Sequence, residues 1–158
     1  MGYFSDNAHL LKPLPLGDPS PYRECQVGAA WATLAHFTSS TEPALISMPT
    51  GSGKTALMMM LAFLLKPERV IIITPSVALR GQTATKFGKL TDLKDAGALP
   101  ANCPKPNVHD HTGQLGSAAA WQAFTQYDVI AATPHTTIRA FASAAVAAMP
   151  GTSKKLAA

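Results

Sequence analysis

At 158 residues, 47% of them apolar and 14% charged, the chain has the length of one domain and too much apolar side chain for a disordered segment. Its 13 basic and 9 acidic residues leave a net charge of +4, which admits a nucleic-acid partner without requiring one. No apolar window is long enough to span a membrane, because the runs around Leu57–Leu65 and Val70–Thr74 are short and separated by Lys66, Glu68 and Arg69. The N-terminal stretch places Asp6, His9 and Lys12 among prolines and does not read as a secretion signal. Cys25 and Cys103 form no C-x-x-C pair, so reduced thiols in a cytoplasmic protein are expected.

In chain order, residues 1–20 are rich in Pro, Gly and Asp and read as an arm rather than a core element. Glu24 to Phe37 is expected to be a helix with an apolar stripe of Val27, Ala30, Trp31, Leu34 and Phe37. Ala44 to Met48 is the first expected strand, and Ala56 to Leu65 the helix that follows it. Val70-Ile-Ile-Ile73 is a β-branched run suited to burial on both faces of a parallel sheet. Val77 to Phe87 reads as a helix capped by Ser76. Residues 88–113 are the least regular, with Pro100, Pro104, Pro106 and a weak strand near Val108. Leu115 to Phe124 is a helix candidate, Asp128 to Ala132 a strand, and Thr136 to Ala147 a helix. Strands alternating with helices predict an α/β fold, a mostly parallel sheet with helices on both faces. The domain is expected over 21–147, with a tail at 148–158.

Between the first strand and its helix lies Met48-Pro-Thr-Gly-Ser-Gly-Lys-Thr55. Strand, glycine-rich loop and helix are the context that a phosphate-binding loop needs. Glycines let the backbone wrap a phosphate, and the loop amides and helix N-terminus face its charge. Pro49, Thr50, Gly51, Ser52, Gly53, Lys54 and Thr55 are therefore the candidate nucleotide-binding residues. Lys54 is assigned to the β- and γ-phosphates and Thr55 to Mg²⁺ accompanying ATP.

Further segments stand in order around this loop: Arg23-Glu-Cys-Gln26, Thr74-Pro-Ser-Val-Ala-Leu-Arg-Gly-Gln82 and Asp128-Val-Ile-Ala-Ala-Thr-Pro-His-Thr-Thr137. With the loop they resemble the amino-terminal motor half of superfamily-two helicases, near the restriction-enzyme and DEAD/DEAH-like branches. The resemblance runs from about Pro21 to Ile138. It implies a RecA-like P-loop NTPase fold, incomplete in this chain, and an ATP-dependent helicase or translocase acting on single- or double-stranded nucleic acid, with DNA preferred.

The resemblance assigns Arg23 and Gln26 to adenine. A glutamine amide carries both an acceptor and a donor, matching adenine's edge. Tyr22 is a second candidate for the base, or else a staple against the first helix. Thr74, Pro75, Arg80, Thr133, Pro134 and Thr136 fall at the carboxyl ends of expected strands, where open parallel sheets bind ligands, and are assigned to the nucleic-acid backbone. Lys86, Lys89 and Arg139 could add charge there.

His109-Asp-His111 invites a metal reading, but four well-spaced ligands are wanting, and in a strand the two histidines share a face that excludes Asp110. The resemblance also implies an acidic pair that positions Mg²⁺ and the attacking water. Asp92, Asp95, Asp110 and Asp128 do not follow an apolar strand in the required way. A motor fragment lacking its remaining partner segments is therefore expected, with little hydrolysis on its own. The alternatives are the motor of a restriction-type nuclease complex and a non-hydrolysing remnant that acts as an adaptor.

Overall fold

In the computed structural model the described residues are 2–14, 20–113 and 122–136. The order of elements is α1 (Tyr3–Asn7), a short 3-10 helix (Ala8–Leu10), α2 (Glu24–Ser39), α3 (Lys54–Leu65), β1 (Val70–Ile73), α4 (Val77–Lys89), α5 (Thr91–Asp95), β2 (Val108–Asp110) and β3 (Val129–Ala132). The fold is mixed α/β, a parallel sheet flanked by helices. The expected helices at 115–124 and 136–147 lie largely outside the described residues.

The strands form a three-stranded sheet in the order β1-β3-β2, parallel throughout. Val70 pairs with Val129 and Ile73 with Ala132 on one side of β3, and Val108 pairs with Val129 on the other. Every residue of β3 is buried, so the central strand is covered on both faces, as its unbroken Val-Ile-Ala-Ala run requires. Parallel register brings all three carboxyl ends to one edge, at Thr74, His111 and Thr133. The backbone continues the ladder there: Thr74 donates to the Ala132 carbonyl at 3.0 Å, and His111 to the Ala131 carbonyl at 2.8 Å.

Helix α3 is apolar nearly all round and buries Leu57, Met59, Met60, Leu61 and Phe63. It packs on α2 and α5, and α4 packs on β3 and β2. The N-terminal segment departs from the expectation of a mere arm. Phe4 is fully buried, meets Phe63 edge-to-face at 5.3 Å, and belongs with Leu11 to the main core. Two aromatic residues and two leucines spaced through the first eleven positions suffice to anchor a short helix on α3, although no long periodic run announces it.

The expected strand Ala44–Met48 joins no ladder among the described residues, and Leu45 is 96% exposed. Strand propensity is realised only where a neighbouring strand supplies ladder partners, and no described strand pairs with this segment. The segment instead runs beside small residues of α2, forming a groove of about 590 Å³ lined by Cys25, Gly28, Ala32, His36 and residues 43–49.

Helix α2 is also turned relative to its expected stripe. Gln26, Ala30 and Thr33 are its buried residues, whereas Trp31 is 48% exposed. Thr33 spends its hydroxyl on the Ala29 carbonyl at 2.7 Å, which removes the penalty for burying it.

Candidate nucleotide site and the carboxyl edge of the sheet

The loop from Pro49 to Gly53 turns through two left-handed glycines, Gly51 at φ +80° and Gly53 at φ +86°. A side chain at Gly53 would be strained by that backbone, and its Cβ would land on the Gln26 amide. Gly53 is the N-cap of α3, and the first helical bond runs from Leu57 to the Gly53 carbonyl at 3.1 Å. The amides of Lys54, Thr55 and Ala56 therefore belong to the unpaired first turn of a long helix, whose partial positive charge favours an anion.

The loop is braced from several sides. Ser52 donates its hydroxyl to the Pro49 carbonyl at 2.8 Å. Lys54 Nζ donates to the carbonyls of Met48 at 2.9 Å and Pro49 at 2.8 Å, folding its side chain back over the loop. Arg23 donates from Nη1 to the Gly51 carbonyl. Gln26 is 5% exposed; its Oε1 accepts from the Arg23 amide at 3.0 Å, and its Nε2 donates to the Gly53 carbonyl at 3.1 Å. The Arg23–Gln26 element is thus brought directly onto the loop, with the Gln26 amide engaged at both ends as half of a capping box and as a strut.

Tyr22 does not face this site. It is buried in the core and donates its hydroxyl to the Lys12 carbonyl at 2.7 Å, and burial pushes its phenol up to about 12.

These groups fit a phosphate chain: glycine-shaped backbone, first-turn amides and one exposed ammonium. For Mg²⁺ the loop offers the Thr55 hydroxyl, and among the described residues no group of three His, Cys, Asp or Glu side chains could hold a metal ion. Several carboxylates are committed elsewhere: Asp92 pairs with Lys86 at 3.1 Å, Asp110 pairs with Arg80, and Asp128 accepts from the Asn107 amide at 2.7 Å.

At the carboxyl edge, the residues assigned to nucleic acid come together in space but mostly serve the loops themselves. Thr74, Arg80, Thr133 and Thr136 are all buried. Thr136 accepts from the Thr133 amide at 3.1 Å and donates to the Thr133 carbonyl at 2.8 Å, closing a tight turn around Pro134. Thr74 directs its hydroxyl to the carbonyls of Ser76 at 3.3 Å and Ala132 at 3.4 Å. Ser76 caps α4 by accepting from the Leu79 amide at 3.3 Å. Arg80 points at Asp110 instead of solvent, so its charge is half-spent within the protein. Pro75, Thr112, Gly113 and His135 are exposed at this edge.

An aromatic cluster lies beside that edge. His109 and His111 lie on one face of β2, with His111 Nδ1 at 3.4 Å from His109 Nε2. Phe124 and Tyr127 pack on them, at ring separations of 5.1 Å for His111–Phe124 and 4.7 Å for His109–Tyr127. The period-two spacing of the histidines was the available signal; their aromatic neighbours come from a distant segment.

Residues 20–140 match the family described as type III restriction enzyme, res subunit. The chain belongs to that family. No curated protein and no solved structure matches the chain. Membership makes this a domain of the superfamily-two helicase and translocase type, nucleotide-binding and nucleic-acid-associated in general character. The matched span covers the Arg23–Gln26 element, the glycine loop and the carboxyl-edge turns. Among the described residues no helix is long and apolar enough to cross a membrane.

Proposed function

We propose that this res-subunit family chain binds ATP through residues 49–55 and forms part of the first motor domain of a nucleic-acid translocase. The observation that carries the proposal is the turn through Gly51 and Gly53 into the N-terminus of α3, with Lys54 poised beside it. In this account Lys54 leaves the Met48 and Pro49 carbonyls and moves to the β- and γ-phosphates. The first-turn amides hold the phosphate chain, and Thr55 supplies a hydroxyl to Mg²⁺. Bound Mg²⁺ would neutralise phosphate charge. Arg23 and Gln26 sense the nucleotide from α2, with Gln26 exchanging one of its internal bonds for the adenine edge.

The carboxyl-edge turns at 74–76, 111–113 and 133–136 form the proposed face for a nucleic-acid backbone, DNA before RNA. The buried threonines hold those turns in shape, and exposed backbone groups make the contacts. The family match favours a motor that serves a restriction-type complex. With Asp92, Asp110 and Asp128 engaged away from the loop, the chain alone should turn over ATP far more slowly than roughly one per second.

The test is calorimetric titration of the chain with a non-hydrolysable ATP analogue, with GTP as competitor. Binding that GTP displaces poorly is expected. No binding at millimolar ATP analogue would overturn the nucleotide assignment, and equal competition by GTP would remove the adenine role of Gln26.

A further inference from the structure

We propose that His109 and His111 form a proton-operated latch that holds the carboxyl end of β2 in the sheet until both imidazoles carry a proton. The pair is built into the structure on every side. His111 is 6% exposed, and its Nε2 is a buried side-chain atom without a hydrogen-bond partner. Its other nitrogen meets His109 Nε2 at 3.4 Å, a separation at which two neutral rings can share one hydrogen. Phe124 stands edge-on to His111 at an interplanar angle of 87°, an apolar ring that cannot solvate a charge on that side.

The charged and titratable groups around the pair come from each neighbouring element. Arg80 approaches from α4, already paired with Asp110 of β2, and Tyr127 faces His109 from the segment before β3. Burial lowers the His111 pKa first, and His109 lowers it further. The Gly113 backbone opposes the shift, Arg80 adds to it, and Asp110 opposes it.

A first proton entering from solvent can lie between the two facing nitrogens. A second makes two cations within one aromatic box, beside the Arg80 guanidinium. Coulomb repulsion at that separation is relieved by swinging His111 out, which breaks the last rung of β2, His111 N–H to the Ala131 carbonyl at 2.8 Å. The Thr112–Gly113 turn moves with it. Any effect on nucleic-acid grip rests on the function proposed above, but the latch itself is a property of the free chain.

Amide hydrogen exchange of the full chain, corrected for intrinsic chemical rates, reads the latch directly without nucleic acid or nucleotide. Between about pH 7.5 and about pH 5, protection of the His111 amide should fall by at least about tenfold. The Thr74 amide, bonded to Ala132 on the other side of β3, serves as the internal reference and should hold. His111→Phe keeps the ring packing and should abolish the pH dependence at position 111. His109→Asn removes the second cation and should reduce it. A constant His111 protection factor in the parent chain, or an equal fall in parent and both variants, would overturn the latch. Should His111→Phe fail to fold, an unchanged pH response in His109→Asn overturns it alone. Loss of pH-dependent exchange would leave ATP binding intact, so failure of the latch and failure of the motor assignment are distinguishable.

Discussion

Replacing Lys54 by alanine removes the one side-chain cation in the glycine loop. Its ammonium makes two bonds, to Met48 O at 2.9 Å and Pro49 O at 2.8 Å. Nucleotide binding must break both and replace them with bonds to phosphate oxygens. Bonds between an ammonium and an anion are worth about 1.5–3 kcal/mol net, and those it gives up to the two carbonyls are charge-assisted on the donor side only. The exchange therefore returns about 1–2 kcal/mol, and the alanine variant should bind an ATP analogue roughly 5- to 30-fold more weakly. Its folding stability should change little, since Lys54 is exposed and the two carbonyls it releases can take water. Calorimetry with excess Mg²⁺ measures the affinity, and a thermal melt measures the fold. Equal affinity in parent and variant would refute the assignment of this loop to phosphate. A large fall in melting temperature would show that the lysine is a structural strut instead.

Gly53→Ala forces a left-handed residue to carry a Cβ against the Gln26 amide; a destabilisation of about 1–2 kcal/mol or more is expected in urea unfolding, and an unchanged midpoint would contradict the described loop. Binding of labelled single strands, followed by anisotropy, should be sequence-blind and weaken as salt rises, because phosphate contacts release counterions; salt-independent binding would argue against a backbone-reading face. Stability should also depend on pH through His111. Its folded pKa lies below the unfolded value near 6.5, so the folded state binds fewer protons; stability is complete above the unfolded value and is lost progressively as pH falls from there through the folded pKa. Urea midpoints at about pH 7.5 and about pH 5.5 should separate in the parent chain and converge in His111→Phe; parallel shifts in both would show that another group carries the effect.

Local chemistry made a large part of this molecule legible in its sequence. The β-branched run Val70–Ile73 and the apolar run Val129–Ala132 mark parallel strands because such strands are buried on both faces and tolerate little else. Ser76 reads as a cap, and Gly51 and Gly53 read as a tight turn into α3, since each rests on backbone geometry that only a few residue types permit. The segment Ala44–Met48 carried the same kind of apolar signal and still joins no ladder. Strand pairing is decided by a neighbour, which one segment's pattern does not contain.

Other outcomes were set by tertiary contact alone. Phe4 enters the core because Phe63 presents a ring to it from α3. Gln26 is buried because the Gly53 carbonyl and the Arg23 amide come within hydrogen-bonding reach of its side chain. Arg80 is paired with Asp110 because β2 lies against α4. His109 and His111 acquire aromatic neighbours only when β3 brings Phe124 and Tyr127 beside them. The sequence by itself determined which stretches could be strand, loop and helix, because those choices are governed by period and backbone freedom. Which polar side chains face solvent and which are consumed inside was decided by the tertiary structure, because a hydrogen bond or ion pair depends on the distance between atoms far apart in the chain.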